Sequence, residues 1–205
     1  MPLKQIKTGL NNFSYVIYCS VSKKAAMVDP GFDGTGPLRF IDDNVLELVY
    51  IINTHHHGDH SAESETIRGE TDAKIITSRV DSRMLTYDTN ILVEDGDNIE
   101  LGDIKLKFIL TPGHTPGGIC ILVGNKALIT GDTLFMGDCG RCDLEGGSLK
   151  DMFDSLNNKI KTLPDHLIVY PGHDYGELPF DELGRQKRTN KTLLAGSLEE
   201  FSKIP

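Results

Sequence analysis

At 205 residues the chain is long enough to bury a substantial core without disulfides or other staples. Asp and Glu outnumber Lys and Arg by 30 to 21, and the net charge of −9 argues against a nucleic-acid backbone or an anionic membrane as partner, since both attract basic faces. Four cysteines are too few for a disulfide scaffold, and no stretch has signal-peptide or membrane-span character, so the expectation is a cytoplasmic globular protein acting on a small molecule.

The first third reads as short strands broken by turns. Residues 3–8, 14–20 and 24–29 are rich in β-formers, and Pro30-Gly31 stops the last run. Helical spacing follows over 36–44, then a nearly continuous apolar strand over 46–53 of the kind buried on both faces. The motif THHHGDHS leaves that strand directly, which puts its histidines on a loop at a strand's C-terminal end, where open α/β sheets build their sites. A helix over 61–70 with Ser61 as its cap and a strand over 73–78 are expected next.

The second half repeats the style. Residues 99–111 read as a hairpin turning at Gly102-Asp103, and 117–132 as a second turning at Gly124-Asn125. A helix near 148–161 precedes a strand over 166–171, and a polar helical tail closes the chain. Strands alternating with helices in two groups imply an α/β sandwich with helices on both outer faces. We expect one domain, 1–205, with two similar halves at roughly 1–90 and 91–205.

The chemistry concentrates at a few strand ends. In His55-x-His57-x-Asp59-His60, residues two apart in an extended loop project the same way, so His55 and His57 can converge on one metal. Asp59 and His60, beyond the flexible Gly58, can turn toward a second. His114 lies between two Pro-Gly-type turns, His173 follows the strand over 166–171, and Asp132 adds a carboxylate able to bridge two cations. Imidazoles and carboxylates in this ratio suit zinc, iron or manganese. His56 and His166 fit no ligand spacing, and Cys139 and Cys142 form a CxxC without the context of a redox motif or zinc knuckle.

Together, THHHGDH, TPGHTPGG, TGDTLF and YPGHDYG resemble the metallo-β-lactamase superfamily, from about Asn12 to Tyr175. The resemblance implies a four-layered αβ/βα sandwich with the metals at one edge of two packed sheets. It implies that His55, His57 and His114 hold one ion, that Asp59, His60 and His173 hold another, and that Asp132 bridges. VDPG also matches, and implies that Asp29 orients a ligand. The stretch after Asp132 resembles two branches, glyoxalase II (hydroxyacylglutathione hydrolase) and the persulfide dioxygenases. Arg141 and Tyr175 match glyoxalase II positions that contact glutathione, whereas Asp143 stands where that branch has an aromatic residue. The expected activity is hydrolysis of a hydroxyacyl-type thioester by a metal-bridging hydroxide, with Asp59 and Asp132 in the catalytic set and two divalent cations, zinc foremost. The alternative is a persulfide dioxygenase with a single iron on His55, His114 and Asp132.

Overall fold

Alternation of side chains along the strands determines how the layers stack. The computed structural model describes residues 3–204. Strands β1 (Leu3–Lys7), β2 (Phe13–Tyr18), β3 (Lys24–Val28), β4 (Glu47–Ile52), β5 (Lys74–Ser78) and β6 (Ile91–Val93) form one six-stranded sheet in sequence order. β1, β2 and β3 pair antiparallel, while β3 to β6 run parallel. The second sheet, in the order β12-β11-β10-β9-β8-β7, comprises β7 (Asn98–Leu101), β8 (Ile104–Leu110), β9 (Ile119–Val123), β10 (Ala127–Gly131), β11 (Ile168–Pro171) and β12 (Asp181–Glu182). Only β10 and β11 pair parallel there; the remaining neighbours are antiparallel.

Successive residues on a strand face opposite sides, and here each side has its own core. Tyr15, Ile17, Ala26, Val28, Ile52 and Ile76 meet Leu106, Phe108, Ile119, Ile121 and Ile129 between the sheets. The intervening residues Val16, Met27, Ile51 and Ile75 pack outward on Ile41 and Ile67. Those two belong to helices α1 (Thr35–Asp43) and α3 (Ser64–Thr71). On the other outer face, Ile109, Cys120, Leu128 and Val169 pack against Met152, Leu156, Leu183, Leu193 and Phe201. These come from α4 (Leu149–Asn158), α5 (Leu183–Thr189), α6 (Lys191–Leu194) and α7 (Leu198–Phe201). The result is the expected four-layered sandwich, and among the described residues no helix is long and apolar enough to cross a membrane.

Three local expectations are corrected. The helix expected over 61–70 is two pieces, a single turn α2 (Gly58–Ser61) and then α3. Ser61 does not cap; its hydroxyl donates to the carbonyls of His56 and His57 at 3.0 Å each. The metal motif is thus a loop only through His57, and Asp59 and His60 ride on a helical turn. β6 was not anticipated, and it extends the first sheet to Val93. The polar helical tail consists of three short helices.

Strand direction gathers the site. β8 and β10 both run antiparallel to β9, and β11 is parallel to β10, so all three deliver their C-terminal ends to one edge. β3, β4 and β5 do the same in the other sheet. The sheets are tied there by backbone bonds from Ile119 N to the Thr54 carbonyl at 2.9 Å and from Phe13 N to the Gly172 carbonyl at 2.8 Å.

Candidate metal centre

The seven expected ligands converge at this edge. Donor atoms of His55, His57 and His114 lie within 4.8 Å of one another, and so do those of Asp59, His60 and His173. Asp132 sits between the groups: its Oδ2 is 3.5 Å from His114 Nε2 and 3.3 Å from His173 Nε2, and its Oδ1 is 3.4 Å from His60 Nε2. All seven except His57 and Asp59 are buried.

Three of the imidazoles, those of His55, His60 and His114, are aimed by what holds the other nitrogen. His60 Nδ1 donates to Asp29 Oδ2 at 3.0 Å, and His114 Nδ1 donates to the Arg141 carbonyl at 2.7 Å. Both rings therefore point Nε2 at the site. Thr54 extends the same network: its hydroxyl donates to Asp29 Oδ2 at 2.6 Å and lies 3.1 Å from His55 Nδ1, while its backbone N–H donates to Asp29 Oδ1 at 2.7 Å. Asp29 holds this place with left-handed backbone at φ 49°, a conformation that Asp tolerates better than most residues.

Such a donor set fits a cation. His55 Nε2 and Asp132 Oδ1 are buried with no hydrogen-bond partner, a costly arrangement unless something positive satisfies them. Ring nitrogens face each other, His57 Nδ1 to His114 Nε2 at 3.0 Å and His60 Nε2 to His173 Nε2 at 3.2 Å. The electrostatics agree. Burial opposes charge on His60, yet Asp132, Asp29 and Asp59 outweigh it and push its pKa up to about 9, so a proton occupies the place a cation would take. Burial, reinforced by His114 and His56, pushes His57 down to about 4, and burial with His60, His114 and His57 lowers His55 well below the usual range. Both are therefore neutral at pH 7, the form that binds metal. Burial raises the Asp132 carboxyl, but His60 and His173 outweigh it and leave it lowered.

Two partners were not read from the sequence. Asp81, fully buried, accepts from His56 N at 3.0 Å, His56 Nδ1 at 3.1 Å, Thr115 Oγ1 at 2.8 Å and Gly117 N at 2.7 Å. It clamps the His55–His60 segment to the His114 turn, and it explains why His56 is no ligand. Asn12 Nδ2 donates to the Asp59 carbonyl at 2.9 Å and to Asp59 Oδ2 at 3.1 Å, steadying that carboxylate on its helical turn. Neither residue carries a motif, because each matters only through neighbours remote in sequence. Close packing also demands glycine: a Cβ on Gly172 would lie 2.3 Å from Asp132 Oδ1.

The centre opens into a cleft of about 1150 Å³ whose wall includes Asp59, Asp132, His173, Arg141 and Tyr175. The Tyr175 ring stacks on His173 with centroids 4.5 Å apart and planes 5° from parallel. Arg141 is largely exposed and holds Asp143 through two bonds of 2.7 Å. The thiols of Cys139 and Cys142 are free, and burial pushes them up to about 12 and about 11, so neither is a thiolate at neutral pH. His166 lies far from the centre in the fold, bonded to the Asn125 carbonyl at 2.9 Å.

Known proteins share these features. Residues 8–173 match the family described as the metallo-beta-lactamase superfamily. Human mitochondrial persulfide dioxygenase ETHE1 is 34% identical over 195 residues, 94% of this chain and 75% of that protein. The hydroxyacylglutathione hydrolase of Rhodospirillum rubrum is 35% identical over 176 residues, 85% of this chain and 67% of that protein. The crystal structure of ETHE1 from Myxococcus xanthus superposes with a TM-score of 0.90 at 30% identity, covering 100% of this chain and 92% of that one. With a metal-binding cluster of histidines and aspartates at the shared edge of two packed sheets, the chain belongs to the metallo-beta-lactamase superfamily.

Proposed function

We propose that the chain is a thioester hydrolase of the glyoxalase II type that works with two divalent cations, zinc foremost. One observation carries this reading: Asp132 lies between two complete tripods, His55/His57/His114 and Asp59/His60/His173. Two cations held there would acidify a shared water and polarise the thioester carbonyl, so no side-chain base is needed. The protein's part is to aim the ligands. Asp29 fixes His60 directly and His55 through Thr54, and the Arg141 carbonyl fixes His114. Arg141 and Tyr175, on the cleft wall, would both contact a small-molecule substrate in the cytoplasm, Arg141 at its thiol part.

The test is a pair of substitutions. Asp59→Ala and His60→Ala should each lower zinc from two ions per chain to one and cut thioester cleavage at least a hundredfold. A second reading, persulfide oxidation with one iron on His55, His114 and Asp132, is favoured by the likeness to persulfide dioxygenases over nearly the whole chain. Oxygen uptake with glutathione persulfide, one iron per chain and no thioesterase activity would establish it instead.

A further inference from the structure

The cleft wall carries apolar side chains that face water and cations that face carboxylates. Five large apolar side chains stand exposed on it, Leu10 at 68%, Tyr175 at 61% and Phe32 at 59% most of all, with Leu178 and Leu144 less so. The three most exposed lie beside residues of the second tripod. Phe32 lies 3.5 Å from where a Cβ on Gly58 would be, beside Asp59. Tyr175 stacks on His173. Leu10 precedes Asn11, whose carbonyl accepts from Asp174 N at 2.8 Å, and Asn12, whose amide holds Asp59. Leu10 and Asn11 are both left-handed, at φ 58° and φ 60°. That conformation is costly for leucine, and such strain persists where it places a side chain for use.

The cations on the same wall are internally balanced. Arg141, whose carbonyl holds His114 of the first tripod, pairs with Asp143 at 2.7 Å. Arg185 lies 3.6 Å from Asp181, and Lys191 lies 2.9 Å from Asp138. Each cation on the wall thus faces a carboxylate, while the apolar side chains face water.

From this contrast we infer that Leu10, Phe32 and Tyr175 form an acyl-binding lip, and that the substrate class is thioesters with an apolar acyl chain of several carbons. The inference rests on the thioesterase reading and names its substrate. Each methylene seated on the lip removes apolar surface from water, worth about 0.8 kcal/mol or roughly fourfold in binding.

The experiment uses the zinc-loaded protein and the acetyl, butanoyl and hexanoyl thioesters of N-acetylcysteamine, an uncharged thiol. We expect kcat/KM to climb by about fourfold per methylene. The slope should flatten in Leu10→Asn and in Phe32→Ser with zinc content unchanged. Leu10→Asn keeps the fold testable, because Asn accepts the left-handed backbone. Calorimetry with the S-methyl and S-hexyl thioethers of the same thiol reads the lip without turnover. Tighter binding of the S-hexyl compound with no hydrolysis of any thioester keeps the lip and removes the hydrolase reading. Equal kcat/KM for acetyl and hexanoyl thioesters, or equal affinity for the two thioethers, overturns the lip alone.

Discussion

Asp29 accepts a hydrogen bond from His60 of one tripod and, through the Thr54 hydroxyl, governs His55 of the other. Replacing it by Asn keeps left-handed tolerance but removes the charge. Asp29→Asn should therefore fold and bind zinc about 10- to 100-fold more weakly, as read by competition with a chromophoric chelator. His60 supplies a pH signature. Its folded pKa of about 9 lies above the ordinary 6.5, so its contribution to metal-free stability is complete below pH 6.5 and is lost as pH rises through 9. His57, depressed to about 4, acts oppositely: the unfolded chain gains the proton first, so stability falls as pH drops from 6.5 toward 4. A cation must displace the His60 proton. Calorimetry at pH 7.5 in buffers of different ionisation enthalpy should show proton release on zinc binding, and the release should fall by about one proton above pH 9, leaving that of the acidified water. Arg141 holds His114 through its backbone carbonyl, so Arg141→Ala should leave zinc content intact. Its side chain, the proposed substrate contact, is shared with Asp143, and KM for an anionic thioester should rise about tenfold with kcat little changed.

At the scale of elements, the site is loops leaving strand ends, and the strands do not by themselves fix how those loops lie together. Asp81 does so between the β4 and β8 exits, with four donors on one buried carboxylate. Asp81→Ala leaves those donors unpaired. It should cost about 3–5 kcal/mol and lower zinc occupancy at His55/His57/His114 before that at Asp59/His60/His173, measured by thermal melting with metal analysis. The single turn α2 explains why Asp59 and His60 can serve the second tripod while His55 and His57, two residues earlier on extended chain, serve the first. A change of local conformation at Gly58 splits one motif between the two tripods.

Across the whole molecule, cation binding links the two sheets, because His55, His57, Asp59 and His60 leave one while His114, Asp132 and His173 leave the other. Emptying the edge leaves Asp29, Asp59 and Asp132 around the His60 imidazolium. Zinc at a thousandfold excess over Kd should add about 4 kcal/mol of stability, and the melting temperature should rise by about 10 °C and fall back on chelation. A chelator that leaves melting and activity unchanged would refute the centre.

The strands, the two hairpin turns and the histidine motifs were legible in the sequence because each is a local matter. A period of two buries one face, Gly102 and Gly124 take the left-handed turns, and ligand residues keep fixed spacings whatever surrounds them. The family resemblance added the grouping of the ligands. Other features had no local signal. β6 is three residues long and exists because β5 offers it an edge. Asp81 and Asn12 look like ordinary polar residues until burial removes water and leaves them one set of partners. The pairing of the cleft-wall cations with Asp143, Asp181 and Asp138 likewise shows only in the fold. The sequence alone determined which residues could hold a metal. The tertiary structure decided how they are aimed and what stands around them, since both depend on groups that only folding brings within a hydrogen bond's reach.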